Sequence, residues 1–191
     1  KAQRLGLIFT LPIFWGLASV CDYLLPSIIG SKWDAAIIPT TLVLMLMPLR
    51  FSEELFQPAA KALGHINYLI VNTFYMIAFM SVALLSLHQF GATGLALAWV
   101  VGFPLAYLIV LFRYSKLFQF PLGIFVRSIS KIIVSGIAMV ATVSLLKLYL
   151  TDVNLLNMFL LVIAGGISYI AGLLLLDRKT LVELKQAMSS R

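Results

Sequence analysis

Charge is what this sequence has least of. Only 11% of its 191 residues are Asp, Glu, Lys or Arg, while 62% are hydrophobic, against roughly a quarter charged and half apolar in an ordinary soluble domain. Seven acidic and fourteen basic side chains cannot clothe the surface that a water-soluble chain of this length exposes. Lipid is therefore the expected solvent. Cysteine is nearly missing too: Cys21 stands alone in an apolar run, which excludes an internal disulfide framework and a thiolate metal site. The sequence holds no Gly-rich phosphate loop, no His-x-x-His pair and no Ser, His and Asp set ordered for nucleophilic attack. Its two histidines, His65 and His88, fall in loops expected on opposite membrane faces, so they cannot share a site. These absences weigh against an enzyme and against a metal or other cofactor.

What the sequence does have is long apolar runs. A hydrocarbon core about 30 Å thick takes about 20 helical residues to cross. Runs at about 5–27, 36–60, 67–88, 94–112, 124–149 and 155–176 meet that length, which predicts an all-α integral membrane bundle of about six transmembrane helices. Short separators rich in turn or polar residues, such as Gly30 to Asp34 and His88 to Gly91, predict helical hairpins. Lys1, Arg4, Arg50, Lys61, Arg113, Lys116, Arg127, Lys131, Arg178, Lys179, Lys185 and Arg191 fall on one side of such a bundle, leaving only Lys32 and Lys147 for the other. Positive charge concentrates on the cytoplasmic side, so both termini are expected there. The net charge of +7 is thus read as topology, and not as a nucleic-acid surface. Residues 1–176 are expected to form the membrane lobe, and 177–191 a cytoplasmic amphipathic tail with apolar residues at 181, 184 and 188. The opening Lys1-Ala-Gln-Arg4, without methionine, is read as part of a longer protein.

Polar residues inside the runs mark the candidate site. Arg50, Glu53, Glu54, Gln57 and Lys61 recur at intervals of three and four, so they share one helical face. Ionisable groups at membrane depth turn to a protein interior or a wet cavity. Two readings stand side by side: an Arg50 ion pair with Glu53 or Glu54 that only neutralises the helix end, or a cavity lining that meets a polar substrate or coupling ion. Pro48 and Pro58 flank the stripe and permit bending. A second stripe, Ser128, Lys131, Ser135 and Thr142, either forms the facing wall or snorkels and bonds its own backbone. Trp15, Ser19, Asp22 and Pro26 align in the first run, with Asp22 expected to be solvated near the outer end. Gly94, Ala98, Gly102 and Ala106, and again Ala164, Ser168 and Gly172, read as seams for close helix contact. Trp33, Tyr68, Tyr114 and Tyr149 read as interfacial aromatics.

The order Leu25-Pro-Ser-Ile-Ile-Gly30, Lys32-Trp33, Ala35-Ala36, an Arg-bearing helix and then Pro58-Ala-Ala-Lys-Ala-Leu-Gly64 resembles the C-terminal half of the polysaccharide exporters of the multidrug/oligosaccharidyl-lipid/polysaccharide flippase superfamily. The resemblance runs over essentially the whole chain. It implies one lobe of a two-lobed transporter in the bacterial cytoplasmic membrane, with a missing N-terminal lobe as its partner. Its implied substrate is an undecaprenyl-diphosphate-linked O-antigen or exopolysaccharide repeat unit, flipped to the periplasmic leaflet by alternating access. On that footing Arg50 and, second, Lys131 would meet the diphosphate, Gln57 and Ser135 would line the cavity, and Glu53 and Glu54 would pair with Arg50 or couple ions. The alternatives are an integral-membrane polymerase or acyltransferase of lipid-linked glycans, another exporter of the superfamily for drugs or lipid II, or a purely structural subunit. The short outward loops argue against a polymerase.

Overall fold

The computed structural model describes residues 2–150 and 152–176. The tail expected at 177–191 lies outside them. Every regular element among the described residues is helical: α1 (Ala2–Ser19), α2 (Cys21–Ile28), α3 (Ile37–Glu54), α4 (Phe56–Ala62), α5 (Ile66–Leu87), α6 (Gly91–Leu117), α7 (Leu122–Lys147) and α8 (Leu155–Leu176), with 3-10 turns at Ser31–Ala36 and His88–Phe90.

Four stretches are long and apolar enough to cross a membrane, and the bent α1/α2 pair makes up to five. The longest, Ile66–Leu117, doubles back on itself. Gly91 turns the chain at a φ of 63°, Tyr68 meets Arg113, and Gly102 lies against Ala83, so α5 and α6 run antiparallel. Counted as two crossings, this stretch brings the chain to the six apolar segments expected from hydropathy.

Both interruptions within spans have local causes. In the first, the Ser19 hydroxyl donates to the Trp15 carbonyl at 2.7 Å, and the Val20 N–H divides between Gly16 and Leu17. Back-bonding of this kind bends helices, and α2 leaves α1 at 66°. The expected stripe from Trp15 to Pro26 is therefore split. In the second, Pro58 removes an N–H and crowds the carbonyl four residues back, which is Glu54, where α3 ends.

Packing proceeds as a row: α5 on α6, α6 on α3, α3 on α1, α1 on α7 and α7 on α8. Lipid offers helices no hydrophobic reason to pair, so close backbone approach and internal hydrogen bonds must hold the row together. The small-residue seams do the first. Gly94, Ala98, Gly102 and Ala106 are all buried, and a Cβ at Gly102 would stand 2.9 Å from that of Ala83. Ser168 reaches Thr142 at 2.9 Å, and Gly172 lies against Ser135.

Cross-helix bonds do the second. Pro12 lacks the N–H that would satisfy the Ile8 carbonyl, and the buried Tyr169 hydroxyl donates to that carbonyl at 3.0 Å, tying α8 to α1. Trp15 Nε1 donates to the Met45 carbonyl at 2.9 Å. Ser52 Oγ bonds both Gln3 Oε1, at 2.7 Å, and Tyr107 Oη, at 2.8 Å, joining α1, α3 and α6. At the opposite end, Lys147 Nζ lies 2.7 Å from Asp22 Oδ2 and Tyr23 donates to the Leu150 carbonyl. Asp22 is thus an ion-pair partner across the row, and not the freely solvated carboxylate expected.

Tyr169→Phe is expected to lower the stability of the detergent-solubilised protein by about 1–3 kcal/mol, the cost of an unpaired buried carbonyl. The loss should be clearly smaller in a Pro12→Ala background, where residue 12 regains the N–H that Ile8 needs. Equal shifts of the denaturation midpoint in both backgrounds would refute the link between the two residues.

Candidate functional site

The α3 stripe faces the gap between α3/α4 and the α5–α6 hairpin. Arg50, Glu53, Glu54 and Gln57 line a cleft of ≈ 270 Å³ there, together with Asn72, Thr73, Met76 and Met80 from α5 and Trp99, Phe103 and Tyr114 from α6. Arg50 Nε stands 3.8 Å from Glu54 Oε1, with the two side chains 40% and 59% exposed. Its guanidinium also lies 5.1 Å from the centre of the Trp99 ring. Gln57 Nε2 donates to both Glu53 oxygens, at 3.2 and 3.3 Å.

The ion pair of the first reading is present, and both of its members line the cleft. Arg50 has its acidic partner, and the pair is open to the cleft. An i,i+4 pair this exposed contributes only about 0.3–0.5 kcal/mol, so helix stability alone does not account for three ionisable groups here.

The α5–α6 wall is built around Arg113. The residue belongs to α6, beyond the end of the fourth run at about 112 that hydropathy placed. Its guanidinium packs 4.2 Å from the Tyr68 ring centre and 5.4 Å from that of Tyr75. Tyr68 donates to the Arg113 carbonyl at 2.6 Å, and Arg113 Nε donates to Asn72 Oδ1 at 2.6 Å. Next to Asn72, Tyr114 stacks on Phe56 with ring centres 4.7 Å apart. Tyr114 is fully buried, which corrects its expected place in an interfacial belt.

The second expected stripe does not reach this cleft. Ser135 is buried between α7 and α8, against Gly172, and its hydroxyl donates to the Lys131 carbonyl at 2.9 Å. Thr142 likewise bonds the Ala138 carbonyl. Lys131 is exposed on α7, which packs on α1 and α8, and it does not line the cleft. The structure therefore brings Arg50, Glu53, Glu54 and Gln57 together and leaves Lys131 and Ser135 apart from them. Lys61, the last member of the first stripe, is exposed on α4 and does not line the cleft.

Sequence reasoning missed Asn72, Thr73, Trp99 and Arg113. Asn72 and Thr73 are adjacent polar residues within a mostly apolar span, and a polar pair in such a run was the available signal. His65 and His88 flank opposite ends of the 22-residue α5, about 33 Å apart at 1.5 Å per residue. No cluster of metal-ligating side chains occurs among the described residues.

No protein-family model, curated protein or solved structure matches this chain. Fold and site define its class: an all-α membrane bundle with a polar cleft open between α3, α5 and α6.

In a Cys21→Ala background reconstituted in nanodiscs, cysteines placed at 54 and 57 should react with a membrane-impermeant maleimide. A cysteine at the buried position 135 should not. Silence at 54 and 57 would show the cleft to be closed to water.

Proposed function

We propose that this chain is one lobe of a membrane transporter that moves lipid-linked oligosaccharide repeat units, of the O-antigen or exopolysaccharide kind, across the bacterial cytoplasmic membrane. The observation that carries this reading is the Arg50, Glu53, Glu54 and Gln57 face, which lines an open cleft within a bundle that exposes many large apolar side chains.

The resemblance in residue order supports the same class and implies a second, N-terminal lobe across the cleft. Cationic residues support the orientation: contacts gather Arg4, Arg50, Lys61, Arg113 and Lys116 at one end of the bundle, around the Gln3–Ser52 bond and the Phe56 stack. That end is cytoplasmic in this reading.

Within the cleft the charges balance. Arg50 is accompanied by Glu53 and Glu54, while Arg113 stands behind Asn72. This mixture of donors and acceptors beside the Trp99 ring suits the hydroxyl-rich glycan of the substrate better than its diphosphate, which two carboxylates would repel. Arg50 then holds the cleft's charge pattern in place, and the carboxylates accept from sugar hydroxyls or carry the coupling proton. Transport calls for no metal or redox cofactor in this scheme, and no covalent step.

In cells making the natural full-length protein, Arg50→Ala should abolish surface glycan with membrane insertion intact. Arg50→Lys, which keeps the charge but loses the planar fork, should restore part of it. Undiminished glycan export by the Ala variant would remove Arg50 from the mechanism.

A further inference from the structure

Asn72 and Tyr114 sit in the cleft wall at 4% and 0% exposure, and each carries a buried polar atom with no hydrogen-bond partner among the described residues: Asn72 Nδ2 and Tyr114 Oη. Chemistry settles the orientation of the Asn72 amide. Arginine only donates, so the atom that faces Arg113 Nε at 2.6 Å must be the amide oxygen, and the NH2 is turned the other way. Arg113 is itself held rigidly, between the Tyr68 and Tyr75 rings and by the Tyr68 bond to its carbonyl. The Tyr114 ring is held by Phe56.

Two donors are thus fixed side by side. The two groups neighbour each other, yet a bond from Asn72 Nδ2 to Tyr114 Oη would still leave one amide proton and the phenolic proton without an acceptor. Buried donors in this state are costly and call for a partner. Both residues line the cleft.

Resting on the transport reading above, we infer that Asn72 and Tyr114 form a donor pair that binds an oxygen of the transported ligand, with Arg113 as the residue that positions the Asn72 amide. The chemistry shared by the possible ligand groups is an oxygen that accepts two hydrogen bonds, either a sugar hydroxyl or a phosphoryl oxygen. Arg113 does not touch the ligand. Its Nε is bonded to Asn72, its plane lies against the two tyrosine rings, and it is not among the residues that line the cleft.

The test uses the chain in nanodiscs, with Cys21→Ala and Thr73→Cys placing one exposed thiol on the cleft wall. Its reaction with an impermeant maleimide is followed with maltotriose or inorganic diphosphate present. At least one probe should slow labelling, and its apparent affinity should fall about tenfold or more in Tyr114→Phe and in Asn72→Asp. Protection by maltotriose alone identifies a hydroxyl, and by diphosphate alone a phosphoryl oxygen. Arg113→Lys should weaken protection while leaving the labelling rate without probe unchanged. Tyr114→Phe should keep or raise the thermal midpoint, because it deletes a hydroxyl whose proton has no acceptor and keeps the ring. A midpoint several degrees lower would make that hydroxyl structural and overturn the inference. So would a thiol that labels but is protected by neither probe, or protection that survives both substitutions. A thiol at 73 that never reacts would overturn the open cleft itself, and the inference with it.

Discussion

In a bilayer, a polar group has no water to fall back on, and every one that enters the apolar zone must be answered by another part of the chain. This constraint organises the bundle. Prolines open helix ladders, and side chains from neighbouring helices close them, as Tyr169 does for the Ile8 carbonyl left free by Pro12. The same bonds that satisfy the backbone also fix which helices are neighbours. Trp15 to Met45 joins α1 to α3, and Gln3, Ser52 and Tyr107 join three helices at once.

The cleft is the place where the constraint is only partly met. Arg50, Glu54, Glu53 and Gln57 answer one another along a single helix, while Asn72 and Tyr114 across from them are held in position yet left with protons to donate. Most buried polar side chains elsewhere among the described residues are bonded, Ser27 Oγ being an exception, and the cleft wall holds two such atoms side by side. Local incompleteness of this kind is what a binding surface requires, because a ligand gains most where it replaces bonds the free protein lacks.

Much of the fold was legible because span length and helical spacing are local properties. The Gly94 to Ala106 seam and the Arg50 to Gln57 face needed only the period of a helix, and both appear in the structure as expected. The breaks at Val20 and Leu55 were harder to foresee, since a serine back-bond or a proline in an apolar run bends one helix and merely decorates another. The partner of Asp22 was out of reach, because Lys147 is 125 residues away and either residue alone reads as a solvated end charge. Arg113 was misread for a similar reason. Placed just past the fourth run, it counted only as a cytoplasmic cation, whereas its role comes from Tyr68, Asn72 and Tyr75 on the preceding helix.

The row of helices bears on how the protein can be made. Its centre, α1 against α3, comes from the earliest part of this chain, and of the two later hairpins, α5 with α6 packs mainly on α3 and α7 with α8 mainly on α1. Each hairpin can leave the translocation machinery already paired and dock sideways against helices that are in place. This order of contacts is compatible with assembly by accretion in the order of synthesis, with no step that has to pry apart two helices that have already met.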